Sequence, residues 1–117
     1  MEINALSGFE FQNWISRELG IQGGKKGADG GIDGLVYGRP LSVKRFQAGR
    51  PQLDQFSGAL LRNGSKEAVF VATEFANTFE KEVRRLKVEN GVEIFYFTVA
   101  DIVDKKHESI LAKFKYV

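Results

Sequence analysis

The sequence predicts one α/β domain over residues 1–117, built as three layers, α/β/α, around a mixed central sheet. Three observations predict this fold class. The length suits a single core. Residues 68–72, AVFVA, form a continuous apolar run, which is typical of a strand with both faces covered. Segments follow in the order helix, weak strand, hairpin, helix, strand, helix, strand, so helices are expected on both sides of the sheet.

The first helix is predicted to run from an N-cap at Ser7 to about Leu19. Glu10, at its third position, completes a capping box. The buried stripe of this helix has residues spaced four apart, at Phe11, Ile15 and Leu19. Gly20 is expected to end the helix in a left-handed conformation, and a weak strand follows at residues 21–22.

A β-hairpin is predicted next. Residues 35–37 and 41–46 are β-branched and aromatic runs, and the turn residues Gly38-Arg39-Pro40 separate them. A four-residue loop over 37–40 is favoured over a two-residue loop at Gly38-Arg39, because Pro40 has no N–H to close a tight turn.

The second half of the chain continues with a helix from Pro51 to about Asn63-Gly64 and a strand at residues 68–72. A capping-box pattern over residues 77–80 opens another helix, and Asn90-Gly91 closes it. A strand over 93–98 follows, which predicts a right-handed parallel crossover.

The last elements are a short helical turn over 101–105 and a segment of uncertain type over 108–114. Two charged side chains in this half are expected at the surface. Glu82 lies outside the buried stripe of its helix, and His107 falls in a charged linker.

The predicted hairpin brings an acid and a lysine together. Both loop lengths pair Val36 with Leu41 and Asp33 with Lys44, and strand alternation puts Ser42 on the face of Lys44. Cross-strand Cβ atoms lie roughly 5 Å apart. The carboxylate can hold a divalent cation there, and the ammonium can stabilise a phosphate. The pairing also fits an ordinary ion pair on a solvated face, so both interpretations stay open.

This stretch carries a resemblance to a known family. The segment 30–34, GGIDG, followed nine residues after the acid by Ser42-Val43-Lys44, resembles the active-site hairpin of the Mrr-like restriction endonucleases in the PD-(D/E)xK nuclease superfamily. The similarity extends to residues 9–14 and 56–60, over roughly three quarters of the chain. It is nearest to the small endonuclease-like domains attached to bacterial DNA methylases, and it implies a restriction-endonuclease-like fold and a DNA endonuclease that uses Mg²⁺ or Mn²⁺.

The resemblance assigns roles to the hairpin residues. Asp33 corresponds to the metal-binding acid, the Val43 carbonyl to a second metal ligand, and Lys44 to the catalytic lysine. Ser42 departs from the family pattern, since most of the superfamily has Glu there and Mrr-like members usually have Gln. Its expected role is a hydrogen bond to a metal-bound water.

The first helix has a second departure from the family. Related nucleases often contribute an acid from this helix, and Gln12 occupies that place, so a neutral amide replaces a carboxylate. Glu10 is the neighbouring acid with a possible reach to the metal, besides its role in the capping box.

Positive charge is concentrated around the predicted site. Between Lys25 and Arg50 there are six basic residues and two acids, and phosphate backbones favour such a cluster. A solvated loop would also be basic. The candidate DNA-contacting residues are Lys25, Lys26, Arg39, Arg45 and Arg50.

Composition excludes several kinds of site. The chain has no cysteine and one histidine, which excludes disulfides and thiolate or His-rich zinc sites. No apolar run approaches the ~20 residues of a membrane span, and the first residues lack the features of a signal peptide. The expected location is the cytoplasm, with no membrane partner.

Three functional hypotheses follow. The first is a Mg²⁺-dependent DNA endonuclease, which would cut both strands of a duplex as a homodimer or with a partner such as a DNA methylase. The second is a module that kept the fold, lost cleavage, and binds DNA or a protein, as the neutral Ser42 and Gln12 allow. The third is a homodimeric structural protein whose hairpin face is merely solvated.

Overall fold

The computed structural model describes residues 8–20 and 32–115. Within these ranges it describes the backbone but not the side chains of residues 8, 9, 12, 113 and 115. This part of the chain contains five helices and four strands. They are α1 (Gly8–Leu19), β1 (Gly34–Val36), β2 (Arg39–Ala48), α2 (Arg50–Asn63), β3 (Glu67–Phe75), α3 (Phe79–Asn90), β4 (Glu93–Thr98), α4 (Val99–Val103) and α5 (His107–Lys115). The predicted cap at Ser7 and strand at 21–22 lie outside the described residues.

The four strands form one mixed sheet in the order β1-β2-β3-β4. β1 is antiparallel to β2, whereas β2, β3 and β4 run parallel. Parallel neighbours need a crossover connection, and α2 and α3 supply the two crossovers. The predicted α/β class and mixed sheet are therefore confirmed.

Helices cover both faces of the sheet. One apolar cluster joins Val69 and Val71 of β3 to α1, α4 and α5, and a second joins Ala68, Phe70 and Ala72 to α2 and α3. Each of these β3 side chains is fully buried. A strand enclosed on two sides needs apolar residues at every position, which accounts for the continuous run in the sequence.

Phe70 is the centre of the second cluster. Its ring contacts those of Phe56, Phe75 and Phe79 edge-on, with centroid separations of 5.5, 6.1 and 5.3 Å. Edge-to-face contacts suit the quadrupoles of aromatic rings. They fix α2 and α3 against the face of the sheet that carries Ser42 and Lys44.

The hairpin loop is shorter than predicted. Val36 pairs with Arg39, so the turn is the two-residue pair Tyr37-Gly38, with φ angles of 48° and 80°. Positive φ at both positions defines the turn that matches the twist of a hairpin. Pro40 lies opposite Leu35, between the hydrogen-bonded pairs, where no N–H is required. The predicted pairing of Val36 with Leu41 is wrong by two residues.

The helix ends largely follow the sequence signals. Gly20, Gly64 and Gly91 all adopt positive φ at the ends of α1, α2 and α3, as predicted. The capping box predicted at the start of α3 is wrong, because Thr78 makes no side-chain cap hydrogen bond.

A reciprocal cap that the sequence reading missed starts α4 at Val99. Thr98 Oγ1 accepts from the Asp101 N–H at 3.0 Å, and Asp101 Oδ2 accepts from the Thr98 N–H at 2.9 Å. The segment of uncertain type after it is helix α5.

Two side chains expected at the surface are buried. His107, the first residue of α5, is 3% exposed, with its ring 5.9 Å from that of Phe97. Glu82 is 8% exposed and accepts hydrogen bonds from Arg85 at 2.7 and 2.9 Å, while Arg50 of α2 lies 3.7 Å away. The Arg85 hydrogen bond is the main cause that lowers the pKa of Glu82. The acid thus links α3 to α2 instead of facing solvent.

Within the described ranges, no helix has the length and apolar character needed to cross a membrane.

Candidate active site

The candidate site lies just before the first residue of β1, where the backbone hydrogen bonds between β1 and β2 stop. The Asp33 N–H donates to the Leu41 carbonyl at 2.7 Å, although Leu41 is the register partner of Gly34. The Asp33 side chain then accepts from the Val43 N–H through Oδ2, also at 2.7 Å. The carboxylate therefore accepts the Val43 N–H, as a backbone carbonyl would if β1 extended further.

The backbone carbonyl of Val43 points toward the same edge of β2 as the Asp33 carboxylate. Backbone groups of alternate strand residues point to the same neighbouring strand, so the carbonyl of Val43 is directed toward β1 as that of Leu41 is. β1 begins only at Gly34. The Val43 carbonyl and the Asp33 carboxylate thus lie along one edge of the sheet, as the metal-ligand assignment requires.

Burial raises the pKa of Asp33 above its usual value. The Val43 hydrogen bond and the positive charge of Lys44 oppose this effect without overcoming it. A half-buried carboxylate that carries an uncompensated desolvation penalty gains from a nearby cation. The environment of Asp33 is therefore the kind that favours a bound metal ion.

Lys44 lies near Asp33 without pairing with it. Its charge acts on the carboxylate, but within the described part of the chain no ion pair within 4.0 Å joins the two side chains. The register places Asp33 beside Leu41 and Val43, so the predicted direct pairing of Asp33 with Lys44 is wrong.

Ser42 is fully buried, which the sequence reading did not expect of a solvated face. Its Oγ has no hydrogen-bond partner among the described residues. A buried hydroxyl without a partner costs free energy, so such a group needs an explanation at its position in the fold. Here it adjoins Val43 and Lys44 in the same strand, next to the candidate site.

α1 runs past the same end of β2. The guanidinium of Arg45 lies 4.8 Å from the ring centroid of Phe11, which fixes the first turns of α1 beside the residue that follows Lys44. Glu10 is exposed in the first turn. Gln12 lies in α1, and its side chain is outside the described set.

The site opens at the carboxyl ends of β2 and β3. The pairing of these strands shifts between Lys44 and Gln47, which marks a β-bulge. Phe46 inside the bulge, and Gln47, Thr73 and Glu74 around it, are exposed. Bulges commonly re-aim side chains next to active sites, and ligands of parallel sheets bind at the carboxyl ends of the strands. The half-buried Lys44 directly precedes this exposed stretch.

The predicted DNA-contacting arginines are engaged within the protein. Arg39 bonds to Glu67 at 3.2 Å and stacks on Phe114, and Arg45 stacks on Phe11. Arg50 lies 3.4 Å from Asp54, with its side chain 64% exposed. Of these three, Arg50 keeps the most open guanidinium. Lys25 and Lys26 lie outside the described residues.

In the described ranges, no three His, Cys, Asp or Glu side chains converge as a metal-binding group. The fit to Mg²⁺ therefore rests on one carboxylate, one backbone carbonyl and retained waters, a ligand set that this ion accepts. The sequence predicted Asp33, Val43 and Lys44 as site residues but not the Asp33–Val43 hydrogen bond or the bulge, for which the local sequence has no distinctive signal.

Comparisons of the chain with models of protein families, with curated proteins and with solved structures find no match.

Proposed function

We propose that this chain is a restriction-endonuclease-like DNA endonuclease domain that hydrolyses phosphodiester bonds with Mg²⁺ or Mn²⁺. The observation that carries the proposal is the half-buried Asp33 carboxylate, which accepts from the Val43 N–H just before β1, with the Lys44 ammonium nearby and in no ion pair with another described residue. A carboxylate, a backbone carbonyl and a free ammonium are the groups that metal-assisted phosphodiester hydrolysis needs.

Each group has a defined part in the reaction. Water adds to phosphorus and one ester P–O bond breaks, which leaves a hydroxyl end and a phosphate end. Asp33 and the Val43 carbonyl hold the metal ion, which supplies charge stabilisation and an activated water when bound. Lys44 stabilises the negative charge that develops on the phosphate oxygens. The expected hydrogen bond from Ser42 to a metal-bound water has no part in this reaction, because the Ser42 hydroxyl is fully buried.

One site per chain cuts one strand at a time. Cleavage of both strands of a duplex would then use a homodimer or a second protein such as a DNA methylase. The proposed setting is the cytoplasm, where DNA and free Mg²⁺ meet.

A nicking assay tests the proposal. Supercoiled plasmid is incubated with the protein in Mg²⁺ or Mn²⁺, and the nicked form is followed with time. We expect cleavage that EDTA abolishes and that Asp33→Ala and Lys44→Ala each reduce by at least about 100-fold, the scale of losing one group that stabilises the transition state.

Lys81→Ala and Asp104→Ala are the matched controls, because both side chains are exposed and lie outside the site. They should cleave like the unaltered protein. Equal cleavage by Asp33→Ala and the unaltered protein would show that a contaminating nuclease, not this site, cuts the plasmid, and the proposal would then fail.

A second function is favoured by one observation. Ser42 is neutral and fully buried where a second acidic or amide ligand would stand, and such a site holds metal weakly. The alternative is a module that binds DNA or a protein without cleaving. DNA binding that persists in EDTA, with no nicking in either metal, would support that module over the enzyme.

A further inference from the structure

Phe46 is the most exposed phenylalanine in the described ranges, at 51%. The other described phenylalanines belong to the two apolar clusters on the faces of the sheet. The exposed half of the ring is apolar surface that the isolated domain leaves in water, where it can contact a ligand.

Its exposure follows from the local backbone. The β-bulge falls between Lys44 and Gln47, so Phe46 lies inside the irregular stretch, two residues from the candidate catalytic lysine. Residues two apart in a strand are separated by roughly 6.6 Å, or less where the strand bends. This distance is comparable with the spacing of neighbouring nucleotides along a strand.

The surroundings of the ring are polar and open. Gln47 and Thr73 are both exposed beside it, and the Arg45 guanidinium is held away on Phe11. A half-exposed ring two residues from the Lys44 ammonium fits a ligand with a flat apolar face attached to a phosphate. A nucleotide has this chemistry.

We propose that Phe46 stacks on the base next to the phosphate at Lys44, and that the preferred substrate is therefore single-stranded DNA or a locally unpaired strand. In an intact duplex each base face is covered by its neighbours, so a phenyl ring reaches a face only where stacking is broken. The inference rests on the proposed function and specifies its substrate.

Binding measurements in EDTA test the proposal without cleavage. A fluorescein-labelled DNA of about 20 nucleotides, long enough for one site, is used as a single strand and as a duplex. We expect the unaltered protein to prefer the single strand. Phe46→Ala should weaken single-strand binding by at least about fivefold and duplex binding by less than about twofold, whereas Phe46→Trp should keep the preference.

Leu61→Ala is the matched control, because Leu61 is 48% exposed on α2 and lies outside the site. It should bind like the unaltered protein. Thermal melting checks that the Phe46 variants are folded, which we expect for a side chain with half its surface in water.

Several results would overturn the proposal: unchanged single-strand binding by Phe46→Ala, an equal loss for duplex, an equal loss in Leu61→Ala, or tighter binding to the RNA version of the strand. The nicking assay keeps the two proposals separate. If Asp33→Ala and Lys44→Ala lose cleavage while Phe46→Ala binds normally, the substrate preference fails and the endonuclease stands.

Discussion

At the scale of single residues, the Asp33 carboxylate makes a hydrogen bond within the fold but is unfavourable to ionise where it is buried. It ends the ladder by accepting from the Val43 N–H, yet burial raises its pKa. An acid with a raised pKa in the folded state destabilises that state once it ionises. Residues that bind cations commonly carry such a penalty, because the ion removes it on binding.

Asp33→Asn is predicted to stabilise the metal-free protein at neutral pH. The amide oxygen still accepts from Val43, and the ionisation penalty is gone. The folded state holds its proton to higher pH than the unfolded state, so the free energy of unfolding of the unaltered protein falls as pH rises from the usual value of 3.8 through the raised pKa. Thermal melting in EDTA should show a gain for the variant at pH 7 that shrinks as the pH is lowered toward 3.8.

The control for this prediction is Asp104→Asn, which changes an exposed acid outside the site. It should melt like the unaltered protein at both pH values. A lower melting temperature for Asp33→Asn than for the unaltered protein at pH 7 would mean that the charge of Asp33 stabilises the fold.

At the scale of elements, the turn and register of the hairpin differ from the sequence prediction, whereas the face on which each β2 side chain lies agrees with it. Tyrosine disfavours positive φ, so nothing in the sequence marks Tyr37 as the first turn residue. The structure adopts it nevertheless, and the register moves by two residues. Side chains alternate with a period of two, so this shift keeps every residue of β2 on its predicted face.

Tyr37→Asn is predicted to stabilise the hairpin. Asparagine tolerates the left-handed conformation, and Asn-Gly is the preferred pair for this turn. Relief of the strain at φ 48° should raise the free energy of unfolding by about 1 kcal/mol. Urea denaturation followed by circular dichroism measures the change.

Gly38→Ala at the second turn position is the opposing variant. Its φ of 80° disfavours any residue with a Cβ, so we expect a loss of about 1–2 kcal/mol. If both variants changed stability by the same sign, the turn would not be the two-residue turn described.

At the scale of the whole molecule, the layered architecture was predictable because it follows from hydrophobic pattern alone. The apolar run of β3 requires cover on two sides, and α1, α4 and α5 oppose α2 and α3 across the sheet. The burial of Ser42 and His107 was not predictable. Both depend on tertiary packing, since Ser42 lies on the sheet face covered by α2 and α3 and His107 packs on Phe97 of β4, and a polar side chain gives no local signal of such cover.

The same limit applies to the candidate site. The sequence predicted Asp33 and Lys44 from strand alternation and the Val43 carbonyl from the family resemblance. It missed the bulge at Phe46, which arises from the pairing of β2 with β3 and not from the hairpin itself. Long-range pairing thus shapes the opening of the site, while local pattern selects its residues.

The central claim is that Asp33 holds a divalent cation, and thermal melting with increasing Mn²⁺ tests it most directly. The unaltered protein should be stabilised in a saturable way, by about 2.7 kcal/mol when Mn²⁺ reaches 100 times its dissociation constant. Asp104→Asn should respond equally, and Asp33→Asn should show no Mn²⁺-dependent gain. An equal gain in Asp33→Asn, or no gain in the unaltered protein, would contradict the account.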